Sequence, residues 1–270
     1  MKKFILPIIT IILVSCNEDS VKSTIDTAVA LEALNEYATV NKVFQDVGNN
    51  SGDAILASEK SIAISSKSLQ ASVEEVLITV TPLDLTTFPK TITIDYQDGV
   101  LCKDGVTRKG VVTVISTNWY GIPESEHTAT FNNYYHNDYK VEGTHYVKNL
   151  GENNEGHLEY SVLVENGMIT TPSGGTINYS EESTRTWVVG SDTPFNIWDD
   201  QYVLDGMQSG TSSKGIDYTL TTEVPLHFVL LPRNIESGII DVDVADIQDI
   251  KLNYTNGTVT ILGKTFPMQN

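Results

Sequence analysis

The chain has 270 residues, two cysteines, and 17 basic against 35 acidic residues, for a net charge of −18. A surplus of that sign repels phosphate backbones and anionic headgroups, so nucleic acid is excluded as a partner, and membrane contact has to come through something other than surface charge. With so few cysteines the fold rests on burial rather than on disulfides, and a chain of this length is ample for that.

Residues 1–16, MKKFILPIITIILVSC, have the order of an export signal: Lys2 and Lys3, an apolar run from Phe4 to Val14, then Ser15 and Cys16. As a helix the run would reach only about 16 Å, against roughly 30 Å of bilayer hydrocarbon, so it is a cleaved signal and not a span. Leu13-Val14-Ser15-Cys16 resembles the lipobox of bacterial lipoproteins, whose cysteine is acylated, palmitate included, and becomes the mature N-terminus. That resemblance makes Cys16 the lipidation site and the membrane a partner through the N-terminal lipid. Asn17 stands where an aspartate would, in the enterobacterial pattern, mark inner-membrane retention, so the expected location is the outer membrane. Glu18 and Asp19 also resemble the surface-export signal of Bacteroidota lipoproteins, which leaves both the periplasmic and the cell-surface face open. Residues 17–23 are polar and acidic, as a solvated tether is.

A single domain is expected over 24–270. It opens with a helix at about 24–48, because Ser23-Thr24-Ile25-Asp26 has capping-box spacing and Ala30, Ala33, Tyr37, Val40, Phe44 and Val47 recur at steps of three and four. Gly48-Asn49-Asn50-Ser51-Gly52 reads as its end, with a short second helical piece over DAILASEK. From Val73 onward the period becomes two. VLITVTP, TITIDY, RKGVVTVIST, HTATFNNYY, YKVEGTHYVK, HLEYSVLVEN, GTINYS, TRTWVVG, QYVLDGM, IDYTLTTEV, GIIDVDV and IKLNYTNGTVTIL read as strands, with Pro172, Pro194, Pro225 and Pro232 between strands or at edges. Short links between so many strands give a mainly β fold: an antiparallel meander, open and curved or barrel-like, with the N-terminal helix packed on it.

Within this pattern ITIDYQDG, Ile92–Gly99, recurs as IKLNYTNG, Ile250–Gly257, with Asn in place of Asp at two positions. A turn permits that exchange and a calcium site resists it, so Asp98-Gly99 and Asp104-Gly105 are read as turns. Cys102 between them is a small, partly packed side chain. No cofactor motif is present: NGTVTILGKT has five residues where a phosphate loop needs four, and those five have a strand pattern.

His127, His136 and His145 are spaced by nine: a two-residue turn at Asn137-Asp138 places His127 on the opposite face of the hairpin from the other two, and a register shifted by one brings the faces together but pairs His145 with Phe131, roughly 13 Å along the strand from His127, so neither register gives a zinc site. Asp199-Asp200 and Glu181-Glu182 are strand neighbours that point to opposite faces. Asp241, Asp243 and Asp246 are the least poor metal candidates. Among the aromatics, packing on a one-sided sheet is the plain reading, and Trp119, Tyr120, Tyr134, Tyr135, Trp187 and Trp198 could instead form a row that stacks on glycans.

The lipobox, the helix, ITIDYQDG followed by CKDG and RKGVVTV, and FNNYYHNDYKVEGTHYV together resemble uncharacterised outer-membrane lipoproteins of Bacteroidota, a likeness that covers most of the mature chain and implies no activity. From the same phylum, Asp19-Ser20-Val21 and Asp26-Thr27-Ala28 resemble its O-glycosylation pattern; Thr27 falls inside the expected helix, so Ser20 is the expected acceptor. The functional expectation is a lipid-anchored, non-catalytic binding or structural module for a glycan or an envelope protein. The alternatives are a carbohydrate hydrolase with strand-borne carboxylates and a carrier of apolar ligands.

Overall fold

The computed structural model describes residues 27–64, 71–73, 76–193, 199–230 and 233–268. Cys16, the tether, the capping box, Ser20, Pro194, Trp198 and Pro232 lie outside the described residues. Among the described residues a single helix, α1 (Thr27–Ile64), precedes fifteen strands. These are β1 (Ala71–Val73), β2 (Val76–Thr81), β3 (Lys90–Asp95), β4 (Val100–Leu101), β5 (Thr107–Ser116), β6 (Glu126–His136), β7 (Tyr139–Glu152) and β8 (Leu158–Thr170). The series continues with β9 (Thr176–Val189), β10 (Gln201–Thr211), β11 (Asp217–Leu230), β12 (Arg233–Val244), β13 (Ile247–Asn253), β14 (Thr258–Ile261) and β15 (Lys264–Pro267).

Every neighbour in the sheet is also the neighbour in sequence, except that β3 pairs with β5 and the short β4 lies off this order, paired only with β5. The result is one antiparallel sheet, open rather than closed into a barrel. Its two edges are blunt: β1 has three residues, and β15 has four, with Lys264 and Pro267 on it.

Sheet curvature is built in by bulges. The β5–β6 register shifts beside Gly110, whose φ is 81° and where a Cβ would lie 2.0 Å from the Asn133 carbonyl oxygen. The β7–β8 register shifts in the same way beside Gly143, with φ 114° and Asn166 as the facing residue. Only glycine fits such a backbone approach, and each extra residue bends the strand. The curved sheet becomes a trough, and α1 lies in it, touching β3, β7, β9 and β12.

Helix α1 differs from the sequence expectation in length. It runs unbroken through Gly48 and Gly52 to Ile64, about 57 Å at 1.5 Å per residue. The glycines are there for proximity and not for termination: a Cβ on Gly48 would lie 2.9 Å from His145 Nε2, and one on Gly52 would lie 3.5 Å from the Tyr120 ring. Tertiary contact therefore overrides the weak helix propensity of both residues. The expected face is buried as read, from Ala30 through Val47, and Leu34, Val43, Ile55 and Leu56 widen it. Glu32, Asn35, Lys42, Ala57, Lys60 and Ala63 form the stripe left to solvent. Among the described residues no helix is long and apolar enough to cross a membrane.

Two further readings change. GTINYS and TRTWVVG are halves of one strand, β9, joined through Glu181-Glu182-Ser183. Pro225 lies inside β11, at a register shift where the ladder needs no N–H from it.

Candidate functional site

The seam between α1 and the sheet is polar along much of its length. Asn41 Nδ2 donates to the Tyr179 hydroxyl (3.0 Å), which donates to Glu181 (2.9 Å). Ser183 Oγ (2.7 Å) and Gln45 Nε2 (3.3 Å) donate to the other Glu181 oxygen. One step along, the Arg185 guanidinium donates to Asn49 (3.0 Å) and Gln45 (2.5 Å). Glu181 is 2 % exposed and Arg185 8 %, so these are interior groups satisfied by the helix. Burial, aided by the Glu181 charge, holds the Tyr179 hydroxyl far above its ordinary pKa, so it remains a donor.

A second polar cluster sits where α1 crosses β5 and β6. Asp46 accepts from His136 Nε2 (2.9 Å) and lies 3.9 Å from Arg108, whose guanidinium makes a two-pronged pair with Asp104 at 2.6 and 3.0 Å. Arg108 is 1 % exposed. Neither cluster was visible in the sequence, although Asp46, set among Val43, Phe44 and Val47, is the residue whose place on an apolar stripe could have pointed to one.

The three histidines correct the sequence reading. His136 pairs with Tyr139 as expected, but a bulge between Thr130 and Tyr135 then moves the register so that His145 faces Ala129 and His127 faces Val147. All three turn into the trough and are buried. Instead of meeting at a metal they are spoken for separately. His127 bonds Ser116 (2.9 Å) and Ser125 (3.1 Å) and stacks on Tyr120, His136 bonds Asp46, and His145 packs against Gly48. Burial lowers His127 to about 4, and burial followed by the Arg185 charge lowers His145 to about 3.

Near the end of the helix a cleft of about 20 Å³ is lined by Gly48, Asn49, Gly52, Asp53, Leu56, Tyr120, Arg185, Asp200 and Tyr202. Asp200 accepts from Trp187 Nε1 and from the Tyr202 hydroxyl, both at 3.1 Å. Burial raises its carboxyl to about 6, against the lowering effect of those two donors. The space admits about one water molecule.

Among its described members the candidate glycan-stacking row is not a surface row. Trp119, Tyr120, Tyr134 and Trp187 are buried on the trough side. The Trp119 ring lies beside the fully buried Lys90 ammonium and the Phe88 ring, and Tyr120 stacks on Tyr160. Tyr135 alone of the described members faces outward, half-buried, with Lys109 over its ring. Aromatic residues on a one-sided sheet pack inward because that is where their area leaves water.

The aspartates do not converge either. Asp241 is half-buried and lies across from Lys251, whereas Asp243 and Asp246 are exposed, and among the described residues no group of three or more His, Cys, Asp or Glu side chains is placed to hold a metal. Cys102 is a half-buried free thiol in the turn between β4 and β5, its sulfur 3.8 Å from the Val100 carbonyl. As read, Glu181 and Glu182 point to opposite faces, and so do Asp199 and Asp200.

On the outer face, a groove of about 400 Å³ opens over β8, β9 and β10, where the β8–β9 register shifts after Val164 and the β10–β11 register shifts before Met207. Leu163, Glu165, Asn166, Ser180, Glu182 and Met207 line it. Comparison of the chain with protein-family models, with curated proteins and with solved structures gives no match.

Proposed function

We propose that this chain is a lipid-anchored, non-catalytic cell-envelope protein that acts as a binding module through the outer surface of its sheet, with another envelope protein as the partner. The observation that carries this reading is the helix in the trough. The concave side of the sheet, where a carrier would hold an apolar ligand, is filled by α1 and bonded to it through Asn41, Gln45, Asp46 and Asn49. Emptying it would strand Glu181 and Arg185, and an uncompensated buried charge is costly. A glycan partner has lost its main support, because the rings that would stack on sugars pack on one another inside. Outside, a groove with Met207 and Leu163 between Glu165 and Glu182 suits an apolar protein segment with basic neighbours.

The test has two arms. Cys16→Ala should move the protein from the membrane pellet to the soluble fraction, and in-cell photocrosslinking from position 207 of the anchored chain should give one recurrent envelope-protein adduct. A Cys16→Ala protein that still pellets refutes the anchor; an anchored protein that never crosslinks from position 207 refutes the outer-face reading. One observation favours a second reading, a hydrolase: burial raises the Asp200 carboxyl to about 6, in the direction that suits a general acid. Release of reducing sugar that disappears in Asp200→Asn would establish it in place of the first.

A further inference from the structure

Half of the exposed large apolar side chains among the described residues lie on neighbouring segments. Leu83 (48 % exposed), Leu85, Ile115, Ile122 and Leu150 gather at one end of the trough, on the β2–β3 connection, the end of β5, the β5–β6 connection and the end of β7. These segments are stitched to one another. Trp119 Nε1 donates to the Leu85 carbonyl (3.1 Å), Ile122 N donates to Trp119 O (3.0 Å), and Asn149 Nδ2 donates to Tyr120 O (2.9 Å). Glu124 N closes the set on Asn149 O (2.9 Å). The buried Lys90 ammonium beneath donates to the Pro82 and Asp84 carbonyls and ties the β2–β3 connection to β3. A clustered apolar patch with polar borders is a mark of an interaction surface, whereas single exposed leucines are not.

We infer that this end of the trough is a docking surface for a protein with an apolar centre and a basic rim. The inference rests on the envelope reading above for its setting and on charge for its partner. Residues 82–90, 117–126 and 148–152 carry Asp84, Glu124, Glu126 and Glu152 against two cations, the buried Lys90, 3.9 Å from Asp84, and Lys148, paired with Glu124 (2.8 Å) and Glu126 (3.7 Å), so the surface keeps an acidic excess. A second copy would bring the same acids, and anionic lipid the same sign, so both are repelled where a basic rim is attracted. Strand addition is not the mode of contact, because both sheet edges are short. The location agrees: α1 begins at the other end, where Glu32 meets Lys214 and Glu36 accepts from Ser213, so a chain anchored through its N-terminus presents this platform distal to the start of its helix.

The test places a photocrosslinking residue at position 85 or 122 in the full, lipid-anchored chain, with position 207 as the comparison site. Support is a recurrent heterologous protein adduct from 85 and 122 that falls at least tenfold in Glu124→Lys/Glu126→Lys and in Leu83→Glu, with unchanged thermal melting of both variants. A homodimer adduct, a lipid adduct, no adduct, or an adduct indifferent to charge reversal overturns it. Adducts from 207 alone defeat this inference and leave the envelope reading standing; loss of membrane pelleting in the unmodified protein defeats that reading instead.

Discussion

Acidification should destabilise this fold, and the trough histidines set the size of the effect. His127 and His145 are neutral inside, with pKa values of about 4 and about 3 against 6.5 in a free chain. Below pH 6.5 the unfolded chain binds a proton at each site and the folded chain does not, so stability falls as pH falls, by up to about 1.4 kcal/mol per pH unit for each histidine. Carried down to the folded pKa values, this is about 3 kcal/mol for His127 and about 5 kcal/mol for His145. Asp200 acts with the opposite sign: its folded carboxyl, raised to about 6 from 3.8, holds a proton that the unfolded chain has released between those values. It offsets part of the loss from two histidines. The remainder, a few kcal/mol by pH 4.5, is a large share of the roughly 5–15 kcal/mol that a domain has in total. The assay is urea unfolding followed by tryptophan fluorescence at pH 7, 6, 5 and 4.5, for the native protein and for His127→Asn/His145→Asn. The native midpoint should fall steadily and the variant's should stay nearly flat or rise. A native midpoint that holds or rises between pH 6.5 and 4.5 would show that these histidines are not buried neutral groups.

Two helix glycines should respond oppositely to the same change. Gly52→Ala adds a methyl at ordinary contact distance from Tyr120 and should stabilise by about 1 kcal/mol through helix propensity. Gly48→Ala, 2.9 Å from a buried His145 ring, should instead destabilise by about 1 kcal/mol or more, and thermal melts of the pair decide the matter. Asp104→Asn removes the charge facing buried Arg108 and should destabilise by about 3 kcal/mol, read as a lower urea midpoint with unchanged slope.

Much of the architecture was legible because it is local. Alternation placed the strands, short turns made the meander, and the three-and-four spacing found the buried face of α1. The repeated ITIDYQDG and IKLNYTNG do both close a strand into a turn. The device there is the first Asx residue, since Asp95 accepts from Gln97 N and Asn253 accepts from Asn256 N. What the sequence concealed depends on events without a local signature. One bulge at Asn133 reversed the face of His127, and the approach of the sheet turned two apparent helix stops into contact points. The polar seam was hidden because Glu181 and Arg185 look like ordinary strand-face charges until α1, more than 130 residues earlier, is laid over them.

The bonded run between α1 and β9 obeys a vernier. Four helix residues advance about 6.0 Å and two strand residues about 6.6 Å, so Asn41 meets Tyr179 and Gln45 meets Glu181 almost in step. The next step departs from this pairing: Arg185 stands four strand residues, about 13 Å, beyond Glu181 while Asn49 is about 6 Å beyond Gln45, and the long Arg185 side chain spans the difference by reaching back to both. A single-residue deletion between Asn41 and Asn49 would turn the rest of the helix by about 100°, so the position of α1 along the trough is specified as closely as its presence there.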